Sequence, residues 1–172
     1  MSAARGYEAL SFEEYLALEA SSTDVRHGLV GGTAFALTGG TLTHARLVTR
    51  LALIVGRGIS GSGCRLYVAD ARLRVGDLNS YYPTSDHYGT SPSIVAEVLS
   101  RSTAAIDRRE KRLVYLQVPT LEQYLIVDPV GTVEVWTPDA TFPAIEWETV
   151  RWQPAGAAGP FSLSRTELFQ PI

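Results

Sequence analysis

Two short, almost wholly apolar runs constrain this chain more than anything else in it. Residues 93–99 read SIVAEVL and residues 122–128 read EQYLIVD, each with the length and composition of a strand covered on both faces. Between them lies AAIDRREKRLVYLQ, residues 104–117. It follows Ser102 and Thr103 and is ended by Pro119, which predicts a helix. Strand, helix, strand in that order calls for a crossover packed on a sheet, the connection that joins parallel neighbours. The expected class is α/β or α+β, with a central mixed β-sheet flanked by helices.

The remaining segments fit around that unit. Ser11 and Glu14 have capping-box spacing before an apolar stripe, predicting a short helix over 11–20. The β-rich stretch HGLVGGTAFALTGG predicts a hairpin turned at Gly31 and Gly32. Residues 43–57 carry Ala45, Val48, Leu51, Ala52 and Val55 at helical spacing, with Thr43 as cap. Residues 65–75 read as extended, and TVEVW, IEWETVRW and FSLS beyond Gly131 read as antiparallel additions to the sheet. Composition does not change before a loop at PAGAAGP near residue 153, so 1–172 is read as one domain.

Composition closes several functional classes. With 45% apolar and 19% charged residues the chain is neither disordered nor fibrous, and its net charge of −3 argues against a histone-like nucleic-acid binder. The single cysteine, Cys64, forms no internal disulfide and builds no thiolate zinc site, so it reads as structural, and any metal would need oxygen or imidazole ligands. The N-terminal sequence lacks a secretion-signal layout and no apolar run reaches about 18 residues, so a cytoplasmic location is expected.

Glu97 is the anomaly. A carboxylate among Ile94, Val95, Ala96, Val98 and Leu99 is costly to bury unless a positive group meets it. Asp107 and Lys111 follow on the predicted helix, one turn apart on one face, and a helix crossing the strand would bring Lys111 towards Glu97. The plainer alternative makes Asp107 and Lys111 a solvated pair and Glu97 a structural acid satisfied by an arginine. Lys111 stands out for another reason: the other 14 of the 15 basic residues are arginines. Arg101, Arg108, Arg109, Lys111 and Arg112 put five cations within twelve positions, a density suited to phosphate contacts or, with Asp107 and Glu110 interleaved, to a solvated helix face. His44 reads as a local hydrogen-bonding residue, Asp70 as a partner for Arg72 or Arg74, and Trp136, Trp147 and Trp152 as packing residues of the C-terminal strands.

The spaced residues Glu97-Val98-Leu99-Ser100, Ser102-Thr103, Asp107-Arg108, Lys111 and Val127-Asp128-Pro129, with FALTGGTLTHARL and YVADARLRV upstream, resemble a bacterial family of small endonuclease candidates. That family lies in the restriction-endonuclease-like PD-(D/E)XK superfamily and was long catalogued as a domain of unknown function. The likeness spans most of residues 11–137. It implies a restriction-endonuclease-like core and hydrolysis of a DNA phosphodiester with Mg²⁺ or Mn²⁺, with an aspartate and Glu97 as metal ligands and Lys111 positioning or activating the attacking water. Hard oxygen ligands suit such a cation, and an ammonium is a compact charge that arginine replaces poorly.

The chain departs from that family pattern on the acids. Tyr82-Pro83-Thr84 stands where a tyrosine-proline-aspartate step is expected, and only thirteen residues separate Pro83 from Glu97. Gly28-Leu29-Val30-Gly31-Gly32-Thr33 replaces a segment that would carry three more acids. Asp86, or His87, is the substitute within reach. Three classes of function follow: a metal-dependent endonuclease using Glu97, Lys111 and Asp86; a catalytically silent module binding DNA or protein through Arg101, Arg108, Arg109 and Arg112; or a homodimer-forming structural protein that pairs through a sheet edge left open by the short 84–92 segment.

Overall fold

In the computed structural model the described residues are 9–37, 40–69, 71–75, 88–146, 148–153 and 160–170. In chain order they form α1 (Phe12–Ser21), β1 (Arg26–Val30), β2 (Thr33–Leu37), α2 (Leu42–Gly58), β3 (Arg72–Leu73), β4 (Tyr88–Gly89) and β5 (Ile94–Val98). A continuous helical segment follows: α3 (Ala104–Ile106), a π-helical turn (Asp107–Lys111) and α4 (Arg112–Tyr115). Then come β6 (Gln123–Asp128), β7 (Thr132–Trp136), β8 (Ala144–Glu146), β9 (Thr149–Trp152), β10 (Phe161–Ser164) and α5 (Arg165–Phe169). None of the described helices is long and apolar enough to cross a membrane.

The central sheet has the order β5-β6-β7-β8, parallel between β5 and β6 and antiparallel thereafter. The two apolar runs are thus parallel neighbours joined by the helical crossover. Alternation sorts the side chains of β6 by parity. Leu125 and Val127 join Val98, Val133 and Val135 beneath Leu47, Leu51 and Ile54 of α2, while Tyr124 and Ile126 join Leu99, Val118, Leu121 and Trp136 on the opposite face. Covered on both faces and paired along both edges, Tyr124, Ile126 and Val127 are fully buried, which is why the run contains so little polar sequence.

The expected mixed sheet and flanking helices are present, and the peripheral elements follow or depart from expectation for local reasons. Gly31 and Gly32 turn the β1–β2 hairpin with φ of +55° and +79°, the two-residue geometry that a pair of glycines permits. Ser11 and Glu14 make the reciprocal capping box of α1. The cap of α2 is Thr41, whose hydroxyl accepts from the His44 N–H, and the helix starts one residue before the expected span, at Leu42. Within 65–75 only Arg72 and Leu73 form a strand, paired in parallel with β4. IEWETVRW divides into β8 and β9, and FSLS pairs with β9 in a separate two-stranded ladder instead of widening the main sheet. Asp70, Trp147 and residues 154–159 lie outside the described residues.

Candidate active site

Glu97 points to the face of the sheet that the helical crossover covers. Its register partner on β6 is Ile126, whose own partner on β7 is Glu134, so the row Glu97–Ile126–Glu134 runs across three strands with an acid at each end. The helical segment lies over this row and answers both acids. Lys111 Nζ lies 2.9 Å from Glu97 Oε1. Arg108 Nε donates to Glu134 Oε1 at 2.8 Å, and its terminal nitrogen donates to Asp128 Oδ2 at 2.9 Å.

Lys111 also lies 2.8 Å from Asp107 Oδ1, as an ion pair without the geometry of a directed hydrogen bond. Tyr115 donates its hydroxyl to Glu97 Oε1 at 3.3 Å, and Tyr124 donates to the Asp107 carbonyl at 3.0 Å. Four residues of α-helix overshoot one turn by about 40°. In an unbroken α-helix, then, Asp107, Lys111 and Tyr115 would drift about 80° around the axis. The wider π turn winds less per residue and offsets part of that drift, and Lys111 reaches both Asp107 and Glu97 while Tyr115 reaches Glu97. The segment is anchored at its start by Ser100, whose hydroxyl accepts the Thr103 N–H at 3.2 Å.

The group is electrostatically coupled. Burial pushes the Glu97 carboxyl above the usual carboxylate range, with Asp107 adding to the rise and Lys111 opposing it. Burial alone would lower the Lys111 ammonium, but Glu97 and Asp107 outweigh it and hold the amine well above the ordinary lysine value. Burial and the neighbouring Glu97 raise the Tyr115 hydroxyl, which stays a donor. Access is unequal: side-chain exposure is 26% for Glu97, 16% for Lys111 and 1% for Asp107. Glu97 Oε2 carries no hydrogen bond among the described residues, and the Glu97 side chain is the most exposed of the three.

The sequence-derived candidates therefore meet in part. Glu97 and Lys111 are in contact, and the pairing of Asp107 with Lys111 is buried at the acid instead of solvated. Asp86, Thr84 and His87 lie outside the described residues. Among the described residues no cluster of three or more His, Cys, Asp or Glu side chains surrounds a metal position. A partly exposed carboxylate has the hard oxygens that suit Mg²⁺ or Mn²⁺, so Glu97 could offer a ligand of the expected kind, whereas Asp107, enclosed on all sides, could not.

Of the four arginines with possible phosphate contacts, Arg108 is held by Glu134 and Asp128, and Arg112 donates to the Arg108 carbonyl and lies 4.3 Å over the Trp136 ring. Arg101 and Arg109 are exposed. His44 bonds beyond its own neighbourhood: Nε2 donates to the Val98 carbonyl at 2.9 Å, next to Glu97 in the chain. Tyr115 was not among the sequence candidates. Its place four residues past Lys111 and eight past Asp107 is the signal that would have found it.

The comparisons with known proteins bear on the fold and the family. Solved structures include one of similar fold described as "a putative nuclease belonging to DUF820" from Anabaena variabilis ATCC 29413. It has a TM-score of 0.72 and 18% identity, covering 91% of this chain and 96% of that one. Two uncharacterised proteins of Synechocystis sp. (strain ATCC 27184 / PCC 6803 / Kazusa) are 30% and 29% identical over 133 residues each. These are sll1609, matched over 69% of this chain and 75% of that protein, and slr1290, matched over 70% of each. The core is thus a restriction-endonuclease-like nuclease fold. Residues 12–160 match the family described as "Uma2: Putative restriction endonuclease", and the chain belongs to that family.

Proposed function

We propose that the protein hydrolyses DNA phosphodiesters with Mg²⁺ or Mn²⁺, at a site reduced relative to the family pattern. Glu97 would hold the cation through Oε2, and Asp86 would supply the second carboxylate in place of the aspartate that Thr84 replaces. The observation that carries the proposal is the Lys111–Glu97 contact of 2.9 Å on a core strand, with Glu97 Oε2 left without a hydrogen bond. A charged group enclosed this far is a poor device for stability, since apolar residues of similar volume pack at least as well.

When bound, the cation would neutralise charge on the phosphoryl oxygens. Lys111, kept protonated by its two carboxylates, acts as a donor that orients water or a phosphate oxygen and takes up no proton. The water oxygen bonds to phosphorus and gives up a proton to solvent as the P–O ester bond breaks, and the departing oxygen receives a proton from solvent. Arg101 and Arg109 are the cations free to meet the DNA backbone, while Arg108 and Arg112 shape the helix that presents them.

A second function, DNA binding without cleavage, is favoured by Thr84 and by the ammonium that already neutralises Glu97 Oε1. Plasmid nicking with Mg²⁺ and Mn²⁺, run beside Glu97→Gln and Lys111→Ala, separates the two. Nicking abolished by both substitutions supports the hydrolase. Nicking that survives either one removes this site, and salt-sensitive retardation of DNA without any nicking leaves the binding module.

A further inference from the structure

The ammonium of Lys111 is shared by two carboxylates that differ in access. Glu97 is open to solvent on one side and Asp107 is sealed, at 1% exposure. Anything positive arriving from solvent therefore meets Glu97 and competes there with Lys111. Asp107 is beyond its reach. Asp107 is also under-satisfied: Oδ2 has no hydrogen-bond partner among the described residues, and Oδ1 has only the ion pair. A side chain buried with so little hydrogen bonding is not explained by packing.

We infer that Asp107 is a positioning residue for Lys111, a counter-charge that retains the ammonium at the site when Glu97 is engaged by something else. Without it, a lysine displaced from Glu97 would be half-buried with no partner and would swing out to solvent on its flexible stem. With it, the ammonium keeps a partner that no incoming cation can take. The π turn contributes by placing Asp107 one turn behind Lys111, within reach of its ammonium. The inference rests on the proposed function for what occupies Glu97; the hold of Asp107 on Lys111 does not.

Lys111 is the only lysine, so acylation by an amine-reactive ester, read by peptide mass spectrometry, reports its side chain without interference. Glu97→Gln removes the accessible carboxylate while keeping its shape. In that variant Lys111 is expected to react at least about tenfold more slowly than in the urea-unfolded chain, since one pKa unit of protection is tenfold in free amine. Adding Asp107→Asn to Glu97→Gln should release it by a similar factor. Lys111 reacting as fast in folded Glu97→Gln as in the unfolded chain overturns the inference, and this comparison stands if the double variant does not fold.

Repeating the measurement with Mn²⁺ separates the inference from the function. Mn²⁺ should leave Lys111 of the unsubstituted protein protected and release it several-fold in Asp107→Asn. If Mn²⁺ changes no labelling rate and no melting temperature, the cation ligand role of Glu97 falls, while the Glu97→Gln result still decides the hold of Asp107. If Mn²⁺ raises the melting temperature yet Asp107→Asn labels as the unsubstituted protein does, Asp107 is merely structural and the inference falls.

Discussion

The two faces of the central sheet are built from the same strands and do opposite work. Under α2, Val98, Leu125, Val127, Val133 and Val135 meet Leu47, Leu51 and Ile54 in an apolar contact. Under the helical crossover, alternate residues of the same strands present Glu97, Glu134 and Asp128, answered by Lys111 and Arg108. Hydrophobic transfer favours the first face at any neutral pH, whereas the second must offset the desolvation of each ion before it adds anything. Both faces carry apolar core that holds the strands in place, and the second also spends part of that stability on a poised group of charges.

That contrast can be broken most strongly from the apolar side. Leu125→Ala removes a side chain at 2% exposure and should cost about 3 kcal/mol, near 10 °C in melting temperature, as checked by calorimetry. Lys111→Met leaves two carboxylates facing each other. It should cost about 2 kcal/mol in urea titration and abolish nicking. Because Lys111 titrates above its ordinary value in the folded state, its contribution is whole below the unfolded lysine value and is lost only in strong alkali. The Lys111→Met deficit should therefore persist throughout neutral pH and grow as pH rises, because Glu97 must then ionise without its ammonium partner.

Glu97→Gln sharpens the comparison by separating stability from activity. A carboxyl raised by folding is best tolerated protonated: its stabilising contribution is complete below the unfolded carboxylate value and is lost as pH rises through the folded one. Relative to the unsubstituted protein, the variant should therefore gain in melting temperature as pH rises to mildly alkaline values. That gain should shrink as pH falls into the carboxylate range, and nicking should be absent throughout. Smallest in stability is Arg109→Ala on the exposed helix, within about 0.5 kcal/mol of the unsubstituted protein. In retardation assays it should lower the salt dependence of DNA binding by about one phosphate contact.

The crossover and its strands were legible because they rest on local pattern: apolar runs of strand length, a helix ended by Pro119, and a charge out of place at Glu97. The meeting of Glu97 with Lys111 was legible because a buried acid restricts what packs on it. What spacing alone does not carry is which side of a helix is covered. Asp107 and Lys111 have the separation of a solvated pair, yet packing and a π turn bury the acid. Arg108 and Arg112 looked free because Asp128, Glu134 and Trp136 lie 20 or more residues away in the chain. The division of the C-terminal strands into two ladders is likewise a tertiary choice, since either pairing satisfies the same alternation.

The bond from His44 to Val98 bears on what can pair along β5. Leu99 donates to Val127, so odd-numbered residues of β5 turn their peptide groups to β6 and Val98 turns its own outward, where the imidazole caps the carbonyl. Any further strand laid along that border would meet a side chain where its ladder needs a backbone acceptor. Among the described residues β5 is thereby paired along its β6 side alone, and its Val98 carbonyl is closed to a further ladder.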